Sequence, residues 1–191
     1  MSDVKSVLFV GVGGQGTILA SKILTIGLIE NGYDVKMSEV HGMSQRGGSV
    51  STQVRFGSKV YSPIIGEGAA DILVSFEEME AARYAKFLKK EGKMVVNTSR
   101  IPSMPILSGA CQYPEGIMDA LKKQVPVMAL DATQIASDLG NPKSANVVLL
   151  GALIQAMDLH DIDWKAIIAK TVKKNFVDIN IQAFEAGMAV V

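Results

Sequence analysis

Apolar residues along this chain follow two rhythms. Short runs of strand formers at 6–10, 71–75, 93–97 and 125–130 alternate with longer stretches of helical spacing, and near-continuous apolar runs are what strands covered on both faces show. The first run ends at a cluster of glycines, and behind it the helical pattern holds over 15–30 until Asn31-Gly32, a favoured helix stop. A second strand is expected at 34–38. The segment 50–56 alternates as an exposed strand would, and Gly57-Ser58 turns the chain into 59–61, which predicts a hairpin. Helical stretches follow at 76–88 and 115–124, with a short strand expected at 106–108 between prolines. Asp131 is placed to cap a helix over 132–139, and further helices are expected at 145–157, 164–174 and 178–190.

Two of these helices lack an ordinary wet face. Between Thr17 and Ile29 the only charge is Lys22, and 145–157 carries no charge at all. A helix apolar nearly all round is buried on more than one side. For the first helix, the cover is either a second protein or this chain's own C-terminal helices. The second apolar stretch is too short to span a bilayer, which needs about 20 residues.

Strands alternating with helices predict an α/β fold: a three-layer α/β/α Rossmann-like domain, 1–191 as a single unit, its mainly parallel sheet modified by the inserted hairpin. In such a fold the carboxyl ends of the strands, with Glu39, Ser75 and Asn97, share one edge with the glycine turn. Gly11-Val-Gly13-Gly14-Gln15-Gly16 is then a strand-to-helix turn, with Gly11 making the bend, Gly13 admitting close backbone approach and Gly16 letting the helix pack against the strand. The unpaired N–H groups of the helix start favour a phosphate or carboxylate. Glu39 sits where a dinucleotide-binding fold places its ribose-binding acid, but a polar loop, 41–49, stands where the second helix of that pattern belongs. In that loop Arg46 with Gly47 and Gly48 offers a fixed positive charge and flexible backbone, a second anion-friendly feature. Asn97, Thr98 and Ser99 are either ligand contacts at the strand edge or turn and cap residues.

Composition narrows the chemistry. The 191 residues are 48% hydrophobic, with 19 basic and 19 acidic side chains, so a non-specific electrostatic grip on nucleic acid is not expected. No basic region followed by an apolar cleavable segment opens the chain and no apolar run reaches membrane length, so a cytoplasmic location away from membranes is expected. Cys111 is the single cysteine, and thiolate clusters need four ligands, so any cluster belongs to a partner. His41 and His160, the only histidines, lie far apart. There is no serine or cysteine nucleophile spaced to a histidine, no Walker lysine and no thiamine-binding signature, and Glu77 and Glu78 as neighbours on a helix point to different faces.

Three motifs in order, Gly11-Val-Gly-Gly-Gln-Gly16, Met43-Ser-Gln-Arg-Gly-Gly48, and Gly140-Asn141 followed by Asn146-Val-Val-Leu-Leu-Gly151, resemble the gamma subunit or domain of the 2-oxoacid:ferredoxin oxidoreductases. The stretch from His41 to Gly48 is most similar to the branch called indolepyruvate ferredoxin oxidoreductase subunit beta. The resemblance implies a subunit of an enzyme that decarboxylates an aryl 2-oxoacid such as indolepyruvate with coenzyme A and passes electrons to ferredoxin. It implies that thiamine diphosphate and iron–sulfur clusters sit on a larger partner subunit, that this chain binds no redox cofactor tightly and is inactive alone, and that it completes the active site near coenzyme A. Gly13, Gly14, Gln15, Gly16, Arg46, Gly47 and Gly48 are the residues it nominates for anion contacts, and Asn97 joins them from its place at the strand edge. A non-catalytic assembly subunit and a free-standing NAD- or FAD-dependent oxidoreductase remain as alternatives, and self-association of the isolated chain through the surface meant for its partner is left open.

Overall fold

The computed structural model describes residues 4–40 and 47–190. In chain order the elements are β1 (Lys5–Val12), α1 (Thr17–Glu30), β2 (Asp34–Val40), β3 (Ser49–Gly57), β4 (Ala70–Ser75), α2 (Glu78–Tyr84), β5 (Leu88–Asn97), α3 (Met104–Leu107), α4 (Ile117–Lys122), β6 (Val127–Leu130), α5 (Ala132–Asp138), α6 (Ala145–Met157), α7 (Trp164–Thr171) and α8 (Val177–Met188). The described strands form one six-stranded sheet in the order β2-β3-β1-β4-β5-β6, and β3 alone runs antiparallel to its neighbours.

Strict alternation along β1 feeds two cores. Val7 and Phe9 face α1, α5, α6, α7 and α8, whereas Leu8 and Val10 face α2 and α4, which makes three layers. On the first side, Gly151 of α6 and Gly187 of α8 let two backbones meet. A Cβ on Gly187 would lie 1.9 Å from the Val148 carbonyl oxygen, and one on Gly151 would lie 2.2 Å from that of Phe184. The chain's own helices cover α1, with Trp164 of α7 lying against Gly27, and of its apolar residues only Ile18 and Ile29, near the two ends, stay exposed. The cover of the first helix is thus chiefly internal.

Three local expectations need correction. The hairpin forms between β2 and β3, with Asp34 opposite Gly57 and Val40 opposite Ser51. Residues 59–61 form no strand, and the Val60 N–H instead donates to Asp34 Oδ2 at 2.9 Å. Nor is β3 an exposed strand: it lies between β2 and β1, with Val50, Val54 and Phe56 buried. Its small polar residues mimicked a wet face because Ser51 and Thr52 are buried too. Finally, 106–108 is not a strand. Pro105 opens a single helical turn, α3, because its fixed φ suits the first turn of a helix.

Candidate functional site

The parallel strands deliver their carboxyl ends to one edge, where Val10 pairs with Ser75, Ser75 with Val96 and Asn97 with Leu130. Strand order reverses at β1, with β2 and β3 laid down on one side of it and the parallel β4 on the other, the kind of switch point where open α/β sheets form a ligand crevice. The glycine turn sits there. Gly14 (φ 102°) and Gly16 (φ 85°) take left-handed backbone, and Gly16 is the N-cap of α1. No side chain caps α1 and no acid occupies its first turn, so the positive end of its dipole is not offset locally.

Gln15 turns inward. Its Oε1 accepts from the Val12 N–H at 2.7 Å, and its Nε2 donates to the Phe76 carbonyl at 2.7 Å. Asn97 Nδ2 donates to the same carbonyl at 3.1 Å and to Thr133 Oγ1 at 3.2 Å, while its Oδ1 accepts from the Ala132 N–H at 3.0 Å. The structure thus brings together Gln15 and Asn97, 82 positions apart by subtraction of their numbers, on one backbone oxygen. Both side chains are engaged in bracing the edge: Asn97 joins β5 to the start of α5, and Gln15 joins the turn to the end of β4. Gly13 N–H donates to the Gly48 carbonyl at 2.8 Å, so the end of the polar loop rests on the turn. Gly47 (φ 91°) is left-handed as well, and Arg46 lies outside the described residues.

Two cavities flank the turn. One, of about 320 Å³, is lined by Gly13, Gly14, Gly16 and Thr17 with Ser51 and Thr52 of β3. The other, of about 520 Å³, lies over the switch point between Gly14–Gly16, Phe76, Asn97 and Lys143. Among the described residues lining either cavity, Lys143 is the single ionisable side chain, with no carboxylate, imidazole or thiol. Such walls can seat an anion or exclude water. Among the described residues they offer no proton-transfer group other than the Lys143 ammonium.

The sequence did not disclose a buried carboxylate cluster beside this edge. Glu77, Glu78 and Glu80 are all nearly inaccessible. Glu77 caps α2 by accepting from the Glu80 N–H at 2.9 Å, and its other oxygen accepts from Tyr113 Oη at 2.5 Å and the Ile101 N–H at 3.1 Å. Burial, and then the hydrogen bond to this carboxylate, raise the Tyr113 phenol above its ordinary range. Glu78 pairs with Arg100 at 2.7 Å, and that hydrogen bond raises the guanidinium further. Glu80 accepts from Ser49 Oγ at 2.5 Å and from Arg83 Nε at 3.0 Å, which ties α2 to the start of β3 next to Gly48. The two adjacent glutamates do diverge, as their helical positions require, yet both are buried. The signal was there in an acidic Glu-Glu-x-Glu run directly after an apolar strand.

The profile of the pyruvate ferredoxin/flavodoxin oxidoreductase family matches residues 6–190. The chain belongs to this family. Indolepyruvate oxidoreductase subunit IorB of Thermococcus kodakarensis is 41% identical to it, over 96% of this chain and 94% of that protein. Among solved structures, the gamma subunit of a keto/oxoacid ferredoxin oxidoreductase from Geobacter sulfurreducens superimposes with a TM-score of 0.75 at 23% identity, covering 98% of this chain and 95% of that one. A 2-oxoglutarate:ferredoxin oxidoreductase from Magnetococcus marinus, solved with 2-oxoglutarate, coenzyme A and succinyl-CoA bound, matches with a TM-score of 0.72 at 19% identity; the whole of this chain covers 31% of that one. The same fold thus occurs both as a separate subunit and within a longer chain. No described helix is long and apolar enough to cross a membrane.

Proposed function

We propose that the chain is the small subunit of an indolepyruvate-type 2-oxoacid:ferredoxin oxidoreductase, which converts an aryl 2-oxoacid and coenzyme A to the acyl-CoA, carbon dioxide and reduced ferredoxin. The observation that carries this reading is the 41% identity to an indolepyruvate oxidoreductase subunit across nearly the full length of both chains. The site geometry supports it. Cavity walls of glycine backbone, hydroxyls and one lysine can contribute shape and an anion-friendly lip while other groups perform the reaction. Thiamine diphosphate and the iron–sulfur clusters belong on the larger partner subunit, where they supply decarboxylation and electron transfer, since one cysteine cannot ligate a cluster. Gly13, Gly14, Gly16, Gly47, Gly48 and Arg46 are assigned to the coenzyme A side of the joint active site, with Gln15 and Asn97 holding that edge in shape. Against a dinucleotide at the turn stands the Gly13 N–H, which donates to Gly48. The complex is assigned to the cytoplasm, where ferredoxin is its acceptor.

Coexpression with the larger subunit tests the assignment. Indolepyruvate- and coenzyme A-dependent reduction of a viologen dye is expected from the two chains together and from neither alone. Turnover by this chain alone overturns the proposal, and full activity of the partner alone reduces this chain to an assembly role or less.

A further inference from the structure

Glu80 is 3% exposed, and burying an ionised carboxylate is costly unless its oxygens are well paired. The cap of α2 is already supplied by Glu77, so the helix has its N-terminal acceptor without Glu80. The two oxygens of Glu80 go to different places. Its Oε1 accepts from Arg83 Nε at 3.0 Å, a half-exposed partner on the same helix. Its Oε2 reaches across to β3 and accepts from Ser49 Oγ at 2.5 Å, with Tyr84 Oη 3.4 Å from the same hydroxyl.

Ser49 stands where the sheet gives way to the glycine turn. It pairs with Val12, the last residue of β1, and the next join between the two segments is the hydrogen bond from the Gly13 N–H to the Gly48 carbonyl at 2.8 Å. Gly47 and Gly48 bring no side chain to hold that join, and glycine backbone has the widest freedom to drift. On the β3 side of this corner, side-chain anchorage among the described residues therefore falls to Ser49, and through it to Glu80. What the corner sets is the spacing of two walls. The cavity of about 320 Å³ has the glycine turn with Thr17 and Ile18 of α1 on one side, and Val50, Ser51 and Thr52 of β3 on the other. Glu80 does not line it, because α2 packs on the opposite face of the sheet, where Ala81 lies with Leu8 and Val10.

We infer that Glu80 is a positioning residue for the anion seat at the glycine turn: through Ser49 it fixes where the Gly48 carbonyl meets the Gly13 N–H, and so how β3 stands against the turn. Its kinetic consequence rests on the assignment of Gly13, Gly14 and Gly48 to the coenzyme A side of the active site; the mechanical link does not. In the coexpressed two-subunit enzyme, Glu80→Ala should raise the KM for coenzyme A by about fivefold or more, while that for indolepyruvate changes by less than about twofold. Glu80→Gln keeps an oxygen for Ser49 and should hold the KM within about twofold of wild type. Ser49→Ala cuts the same link without touching α2 and should match Glu80→Ala, and the double variant should be no worse than either single one. The full-length chain alone gives a readout independent of the reaction. Exchange of the Gly13 amide, followed by NMR, should quicken by about tenfold in Glu80→Ala and in Ser49→Ala, with the Phe9 amide unchanged and Glu80→Gln close to wild type. Unchanged Gly13 exchange, failure of the glutamine to rescue, additive effects of the two substitutions, or KM values for both substrates rising together overturns the inference. A wild-type complex that ignores coenzyme A while Gly13 exchange responds as stated supports the link and overturns instead the coenzyme A assignment of the site.

Discussion

Gly16 shows how much one position without a side chain carries. Its left-handed φ of 85° disfavours any Cβ, and a Cβ there would also lie 2.5 Å from Asn146 Nδ2, which donates to the Gly16 carbonyl. Gly14, at φ 102°, has nothing within 4 Å of such a Cβ. The pair therefore separates backbone strain from crowding. Gly14→Ala should cost about 1 kcal/mol, and Gly16→Ala about 2–3 kcal/mol, in urea melts of the isolated chain. Arg46→Ala should lower turnover or coenzyme A affinity of the assembled enzyme by about tenfold or more without unfolding the subunit; unchanged steady-state kinetics would count against its assigned role. Glu77 is the most demanding of the buried acids. Glu77→Ala leaves the Tyr113 hydroxyl and the Ile101 and Glu80 N–H groups without their acceptor, and a loss of about 3 kcal/mol is expected. Its phenol partner adds a pH signature. Because the folded Tyr113 pKa is raised, its contribution to stability is full below the unfolded phenol value near 10 and is lost as pH climbs through the folded value. Urea midpoints compared between about pH 9 and pH 11 should fall more steeply for the wild type than for Tyr113→Phe. Equal slopes would show that the phenol is not linked to folding.

At the scale of elements, the crossing of α6 and α8 is the tightest joint. Gly151 and Gly187 are helical glycines whose intrinsic cost of about 1 kcal/mol each is offset by backbone approach that no other residue permits. Gly187→Ala has nowhere to place its methyl, because the Val148 carbonyl belongs to a fully buried turn of α6. A destabilisation of about 3 kcal/mol is expected, with amide exchange rising first along α8. Uniform loss of protection across the sheet would instead mean that α8 is not a separable unit. Element boundaries were largely legible in the sequence where the cause is local. Residues 145–157 form α6 end to end as their charge-free run suggested, and Asp131 caps α5 by accepting from the Gln134 N–H at 2.8 Å. The hairpin was misplaced because Gly57-Ser58 is a good turn that leads to no strand partner. Its partner was β2, already read as a strand.

For the whole molecule, the consequential difference concerns what covers the apolar helices. Spacing alone showed that α1 is buried on several sides, but cover by a partner and cover by α6 and α7 produce the same pattern in one sequence. Only the fold separates them. The candidate site divides likewise. The glycines and their place at the switch point could be read directly, because a left-handed turn between strand and helix demands them. That Gln15 and Asn97 converge on the Phe76 carbonyl could not be read, since no local rule links positions 61 and 21 residues from it.

The sequence by itself determined most of the order of strands and helices, the glycine bend after the first strand and the lack of thiolate ligands, because each follows from residue type at short spacing. Tertiary structure alone decided the antiparallel place of β3, the internal cover of α1, and the inward turn of Gln15 and Asn97. Those outcomes depend on which distant surfaces meet, and burial free energy selects among pairings that local pattern leaves equivalent.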